Sequence, residues 1–140
     1  MDDPHSLARF VDAQAQSYRQ ALGELKRGRK QSHWMWWIFP QLAGLGHSPT
    51  ARHYAIGSAA EARAYLAHPV LGGRLLEALG AAVAAPGSAE AVFGAVDAMK
   101  LRSCLTLFAA VAMDPAPFRA GLERFFGGNA DRATIEMLAR

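Results

Sequence analysis

The sequence predicts an all-α protein folded as one compact domain over residues 1–140, and three observations predict it. Apolar residues recur at helical spacing along nearly the whole chain. No segment alternates apolar with polar residues as a half-buried strand would, and alanine is abundant where valine, isoleucine and threonine are sparse. A chain of 140 residues, 51% hydrophobic and 19% charged, can bury one core of ordinary size. The breaks between helical segments are only a few residues long, and no linker, internal repeat or low-complexity tract interrupts them.

Taken in order, Asp3-Pro4 supplies a cap and a first-turn proline for a long amphipathic helix. Its stripe runs through Leu7, Phe10, Val11, Gln14, Tyr18, Ala21, Leu22 and Leu25, and Gly28 ends it. Gln14 is the odd member, because an amide buried without partners costs roughly 1–3 kcal/mol; it either finds a hydrogen bond inside or lines a cavity. Ser32 is expected to cap a short helix that must stop before Pro40. Ser48-Pro49 starts a helix carrying Arg52, His53 and Tyr54, and Ser58 and Glu61 have the spacing of a capping box. Pro69 opens a helix with Leu71, Leu75, Leu76 and Leu79 on one face, in which Gly72-Gly73 reads as a close packing contact. Ser88 caps a short helix that Gly94 breaks. Asp97 is expected to cap the next, over 98–113, which is apolar around much of its circumference and should be the central element. Asp114-Pro115 starts a helix ended by Gly127-Gly128, and a final turn or two from Asp131 packs Ile135 and Leu138.

Composition excludes several functions. The longest apolar runs fall far short of the roughly 20 residues that cross a bilayer, no export signal follows Met1, and a single cysteine forms no internal disulfide or cysteine-rich zinc site. The cytoplasm is the expected location. The formal charge of +3 is local, since Lys26, Arg27, Arg29 and Lys30 lie within five residues and the rest of the chain is net negative. No two of His5, His33, His47, His53 and His68 stand four apart in one helix, so neither a metal nor a cofactor is expected. Cys104, amid Leu101, Leu105 and Phe108, reads as a buried structural residue.

Two stretches can carry function. All three tryptophans lie in Lys30-Gln31-Ser32-His33-Trp34-Met35-Trp36-Trp37-Ile38-Phe39-Pro40-Gln41, directly after the basic run. Rings on a short helix cannot all point one way, so two are expected in the core, leaving one, flanked by Lys30 and His33, to stack on a planar ligand or meet a cation. In the second stretch, residues 97–106, Lys100, Ser103 and Thr106 share a face of an otherwise apolar helix. That polar stripe meets solvent or an internal salt bridge, or it looks into a cleft lined by Trp34, Trp36 or Trp37.

Together, Ser32-His33-Trp34-Met35-Trp36-Trp37-Ile38-Phe39-Pro40-Gln41 and Lys100-Leu101-Arg102-Ser103-Cys104-Leu105-Thr106-Leu107-Phe108 closely resemble the signatures of a bacterial family known as domain of unknown function 1810. The resemblance extends over nearly the whole chain, including Arg9-Phe10-Val11-Asp12-Ala13-Gln14 and Ala64-Tyr65-Leu66-Ala67-His68-Pro69-Val70-Leu71-Gly72. It implies a small all-α fold and brings no activity or catalytic residue. Members are often labelled calpastatin, a name that nothing in the residues supports. A weaker likeness is to helical N-glycosidases acting on ADP-ribose-like and riboflavin-pathway substrates, where an aromatic stretch with Phe and Pro is followed by Glu-His-Tyr. Here Phe39-Pro40 is followed by Arg52-His53-Tyr54, so the carboxylate is missing and a hydrolytic acid would have to be Asp12, Glu61 or Asp97.

The first functional expectation is a binding or enzymatic domain whose pocket is built from Gln14, His33, Trp34, Trp36, Lys100, Arg102 and Ser103, and whose ligand is anionic and planar, a nucleotide or an ADP-ribose-like molecule. The second is a protein-interaction or structural domain with no small-molecule site. Single-stranded nucleic acid held through residues 26–37 ranks last, because broad nucleic-acid binding needs a wider basic stripe. The oligomeric state is not set by these residues.

Overall fold

In the computed structural model, which describes residues 2–140, nine helices account for 65% of the chain and no strand forms among those residues. The first, α1 (Ala8–Lys26), buries Phe10, Gln14, Ala21, Glu24 and Leu25. Leu7, not Asp3, stands at the N-cap position, but the Asp3 carboxylate still accepts from Leu7 N at 2.8 Å and Ala8 N at 3.0 Å. The helix begins after Leu7 instead of at Pro4, because Ser6 N closes a turn on Asp3 O and Ser6 takes a φ of 52°, outside the helical region.

Next come α2 (Met35–Ile38) and α3 (Pro49–His53), the latter capped by Ser48, whose side chain accepts from Ala51 N. The segment between them is pinned by a lone parallel bridge of Leu42 with Ile56, in which Ala43 N donates to Ile56 O and Ile56 N to Gln41 O, both at 2.8 Å. Ser58 caps α4 (Ala59–Ala67) through Glu61 N. Glu61 reaches back one residue further than a capping box requires, accepting from Gly57 N at 3.0 Å. The close approach read into Gly72-Gly73 falls on the first glycine alone. A Cβ on Gly72 would stand 2.1 Å from Leu66 O, so the start of α5 (Leu71–Ala84) lies directly against the last turn of α4.

After α6 (Ala89–Phe93), Gly94 at a φ of 83° turns the chain into α7 (Ala95–Val111). This is the central element predicted over 98–113, shifted towards the N-terminus because Gly94 itself opens the helix, its carbonyl accepting from Ala98 N. Asp97 therefore sits inside the first turn instead of capping it. On α7, Leu101, Cys104, Leu105, Leu107 and Phe108 have no exposed surface. The helix packs on α4, α6, α8 (Ala116–Phe126) and α9 (Arg132–Leu138). One run of rings links the layers, from Phe10 to Tyr65 at 5.1 Å, Tyr65 to Phe108 at 5.5 Å and Phe108 to Phe118 at 5.8 Å between centroids. Two expected core contacts do not form: Leu76 and Ile135 lie at the edges of their helical stripes and are about half exposed. No helix among the described residues is long and apolar enough to cross a membrane.

Candidate functional site

The region around the tryptophans is built on a buried carboxylate. Glu24 shares the inward face of α1 with Ala21 and Leu25 and is 1% exposed. It accepts from Gln31 N at 2.7 Å, Ser32 N at 2.9 Å, Ser32 Oγ at 2.7 Å and Trp34 Nε1 at 2.9 Å, with Gln20 Nε2 at 3.3 Å. Burial opposes the charge, but the hydrogen bonds from Ser32, Gln31 and Trp34 outweigh it and hold the carboxyl at about 2. The segment after α1 is thereby fastened to its last turns, with Trp34 fixed inside. Ser32 serves Glu24 and not the helix end, so α2 has Trp34 at its N-cap position and no side-chain cap.

Above this anchor lies a cluster of three charges. Lys30 Nζ is 2.8 Å from Asp97, its side chain 6% exposed, and it stands 4.9 Å from the Trp34 ring centroid. Lys30 therefore belongs to the interior and not to an open basic surface with Lys26, Arg27 and Arg29. Asp97 also pairs with Lys100 at 3.1 Å. Burial works against the Asp97 carboxylate, yet the two lysines hold it below the usual range. Two cations share one anion, which leaves the cluster with one unbalanced positive charge. Asp97→Ala would leave the Lys30 ammonium without a counter-charge, held only by Ser32 O at 2.5 Å and the Trp34 ring, and a stability loss of about 3 kcal/mol is expected in urea unfolding. A loss within experimental error would show that Lys30 finds water instead.

Lys100 faces the candidate cleft. Its Nζ lies 3.7 Å from the centroid of the Trp36 ring, so the ring face carries a cation already paired to Asp97. Trp36 and Lys100 form part of the wall of a cavity of about 350 Å³, with Gln41 and Leu45 from the segment after α2 and Met99 and Ser103 from α7. Ser103 Oγ turns back onto Met99 O at 3.2 Å. Asp131 closes the far wall, its carboxylate engaged by Thr134 N at 3.0 Å and Thr134 Oγ1 at 2.6 Å. Val96 and Met99 stand exposed at the rim. The cleft thus combines an indole, an ammonium, a carboxylate, an amide and a hydroxyl on otherwise apolar walls, a composition suited to a small ligand with a polar end.

A family model described as "Protein of unknown function (DUF1810)" matches residues 4–138. The chain belongs to this family. The DUF1810 chain is also similar to a solved structure, the crystal structure of the conserved hypothetical protein Rv1873 from Mycobacterium tuberculosis, at 49% identity over 99% of both chains and a TM-score of 0.97. No curated protein matches it.

Of the seven residues read as a pocket, this DUF1810 fold gathers Trp36, Lys100 and Ser103 around one cleft and sends the other four elsewhere. Gln14 is buried on α1, where its amide donates to Trp37 O at 2.8 Å and Tyr65 Oη at 3.2 Å, while Arg74 donates to its oxygen at 3.4 Å. It takes the first of its two alternatives, a hydrogen bond inside. Trp34 is 1% exposed and sealed against Glu24. Arg102 donates to Asn129 O at 2.8 Å and lies over Phe126, because the next position on α7 turns away from the cleft. His33 is exposed on the loop before α2. Trp37 packs against the core beside Tyr54, its Nε1 donating to Ser17 Oγ at 2.7 Å. The ring left over is Trp36, and its cation is Lys100 in place of Lys30.

The three carboxylates considered for hydrolysis also separate. Asp12 is exposed on α1, Glu61 is paired with Arg9 at 2.6 Å, and Asp97 is held by the two lysines. Burial pushes the Cys104 thiol up, so it is a protonated core side chain. Among the described residues no three of His, Cys, Asp and Glu converge as metal ligands would. Sequence reasoning missed Glu24, although it lies three positions after Ala21 and beside Leu25 on the apolar stripe. It also missed Leu45, Met99 and Asp131 as walls of the cleft, which only the tertiary fold brings together.

Proposed function

We propose that the protein binds a small anionic molecule with a planar ring in the cleft between α2 and α7, a nucleotide or ADP-ribose-like compound being the best fit. The observation that carries this reading is Lys100 over the face of Trp36 at the wall of that cleft. Lys100 is the cation on the cleft wall and offers an ammonium to an anionic group, while the wall's carboxylate, Asp131, is turned to Thr134 at the start of α9. Trp36, Leu45 and Met99 offer the apolar, polarisable surface a planar ring prefers, and Gln41 and Ser103 add polar atoms that fix orientation. No hydrolytic role is assigned, because Glu61 and Asp97 are engaged in ion pairs and Asp12 is on another face.

Thermal denaturation with AMP, ADP-ribose and flavin mononucleotide tests the reading. A ligand at one hundred times its dissociation constant should stabilise the fold by about 2.7 kcal/mol. Lys100→Met should weaken binding about tenfold while costing roughly 1 kcal/mol of stability, since Lys30 still partners Asp97. A cooperative melt that none of the three compounds shifts would argue for the alternative, a domain working through a protein surface alone.

A further inference from the structure

A second cavity, of about 460 Å³, opens where α4 and α5 meet the junction between α7 and α8. Phe118, Leu66 and Val111 line it, and Gly72 lets α4 and α5 close against each other beside it. Leu76 and Met113, two of the five large apolar side chains left exposed among the described residues, stand on its walls at 44% and 104% exposure. Together they give the groove an apolar surface that a ligand's tail can cover. The wall also carries Arg63, which is exposed and makes no ion pair among the described residues. Asp114, the other charged wall residue, accepts from Ala116 N at 3.1 Å at the start of α8.

We propose that this groove binds a single-tailed amphiphile with an anionic head, such as a medium-chain alkanoate, its tail on Leu66, Leu76, Val111, Met113 and Phe118 and its carboxylate on Arg63. Arg63 selects the head, because its guanidinium fork, unpaired among the described residues, matches a carboxylate in two parallel hydrogen bonds, while the Asp114 carboxylate is turned to the first turn of α8. Volume selects the size: the cavity lies in the range of about 300–1,000 Å³ typical of small-molecule sites. The proposal is independent of the cleft at Trp36.

Titration calorimetry of the full chain with hexanoate, octanoate and decanoate, all below their micellar concentrations, tests it. One ligand per chain is expected, with affinity rising up to about fourfold per added methylene. Decanol and decyltrimethylammonium should bind more weakly than decanoate. Arg63→Glu, a surface change that leaves the fold intact, should weaken decanoate about tenfold and remove the preference for the acid. Leu76→Glu should abolish binding, and amide shifts should centre on α4, α5 and the α7–α8 junction. A flat chain-length series, an Arg63→Glu variant that binds as the native chain does, or shifts centred on the Trp36 indole would each overturn the proposal. So would a dimer that Leu76→Glu dissolves, which would give the groove to a second copy.

Discussion

Glu24→Ala is expected to destabilise the protein by about 4 kcal/mol in urea unfolding, among the largest effects a single substitution produces. The side chain is 1% exposed, and its removal takes the acceptor from the amides of Gln31 and Ser32, the Ser32 hydroxyl and the buried Trp34 indole N–H at once. Glu24→Gln should cost about 2 kcal/mol, because the amide oxygen still accepts and the Ser32 hydroxyl can turn to accept from the new NH₂. The two variants also separate charge from shape through pH. The folded carboxyl lies at about 2, below its ordinary 4.5. Its contribution is therefore complete above pH 4.5 and lost as pH falls towards 2. In that window Glu24→Gln should flatten the dependence of stability on pH by up to ~1.4 kcal/mol per unit, leaving the part due to Asp97, which is also held low. An unchanged acid profile would show that Glu24 titrates as a solvated group.

The adjacent glycines of α5 should answer in opposite directions. Gly72→Ala forces a methyl to 2.1 Å from Leu66 O, and since a backbone carbonyl cannot rotate away, α4 and α5 must separate. A loss of about 3 kcal/mol or more is expected. Gly73→Ala meets no heavy atom within 4 Å and replaces an exposed helical glycine, so a gain of about 0.5–1 kcal/mol is expected. Equal effects would mean that the helices are not in contact at Gly72.

The helices were legible because their punctuation is local. Ser48, Ser58, Ser88 and Asp131 cap as their spacing predicts, and Gly94 and Gly127 stop helices in positive-φ conformations. Local rules failed where a side chain had a distant partner. Ser32 and Asp97 look like caps in sequence, yet one bonds a carboxylate eight residues back and the other two lysines on different elements. The site was half legible for the same reason. Lys100 and Ser103 share a helical face by spacing, and a short helix with three tryptophans must expose one. Which ring it would be depends on Glu24 drawing Trp34 inwards and Ser17 holding Trp37, contacts spanning 10 and 20 residues. Gln14 and Arg102 read as pocket residues for being polar beside apolar neighbours, but Gln14 donates to Trp37 O and Tyr65 Oη inside and Arg102 faces the Asn129 turn.

The central claim, that Trp36 and Lys100 form a ligand site while the other two tryptophans are structural, is tested most directly by the three indole N–H signals in a proton–nitrogen NMR titration with AMP, ADP-ribose and flavin mononucleotide. Trp34 and Trp37 donate to Glu24 and Ser17, so their signals should stay in place. The Trp36 signal should move and saturate with at least one compound, and Lys100→Met should carry the midpoint to about tenfold higher ligand concentration. A Trp36 signal that stays fixed with all three, or one that moves no more than those of Trp34 and Trp37, would contradict the account.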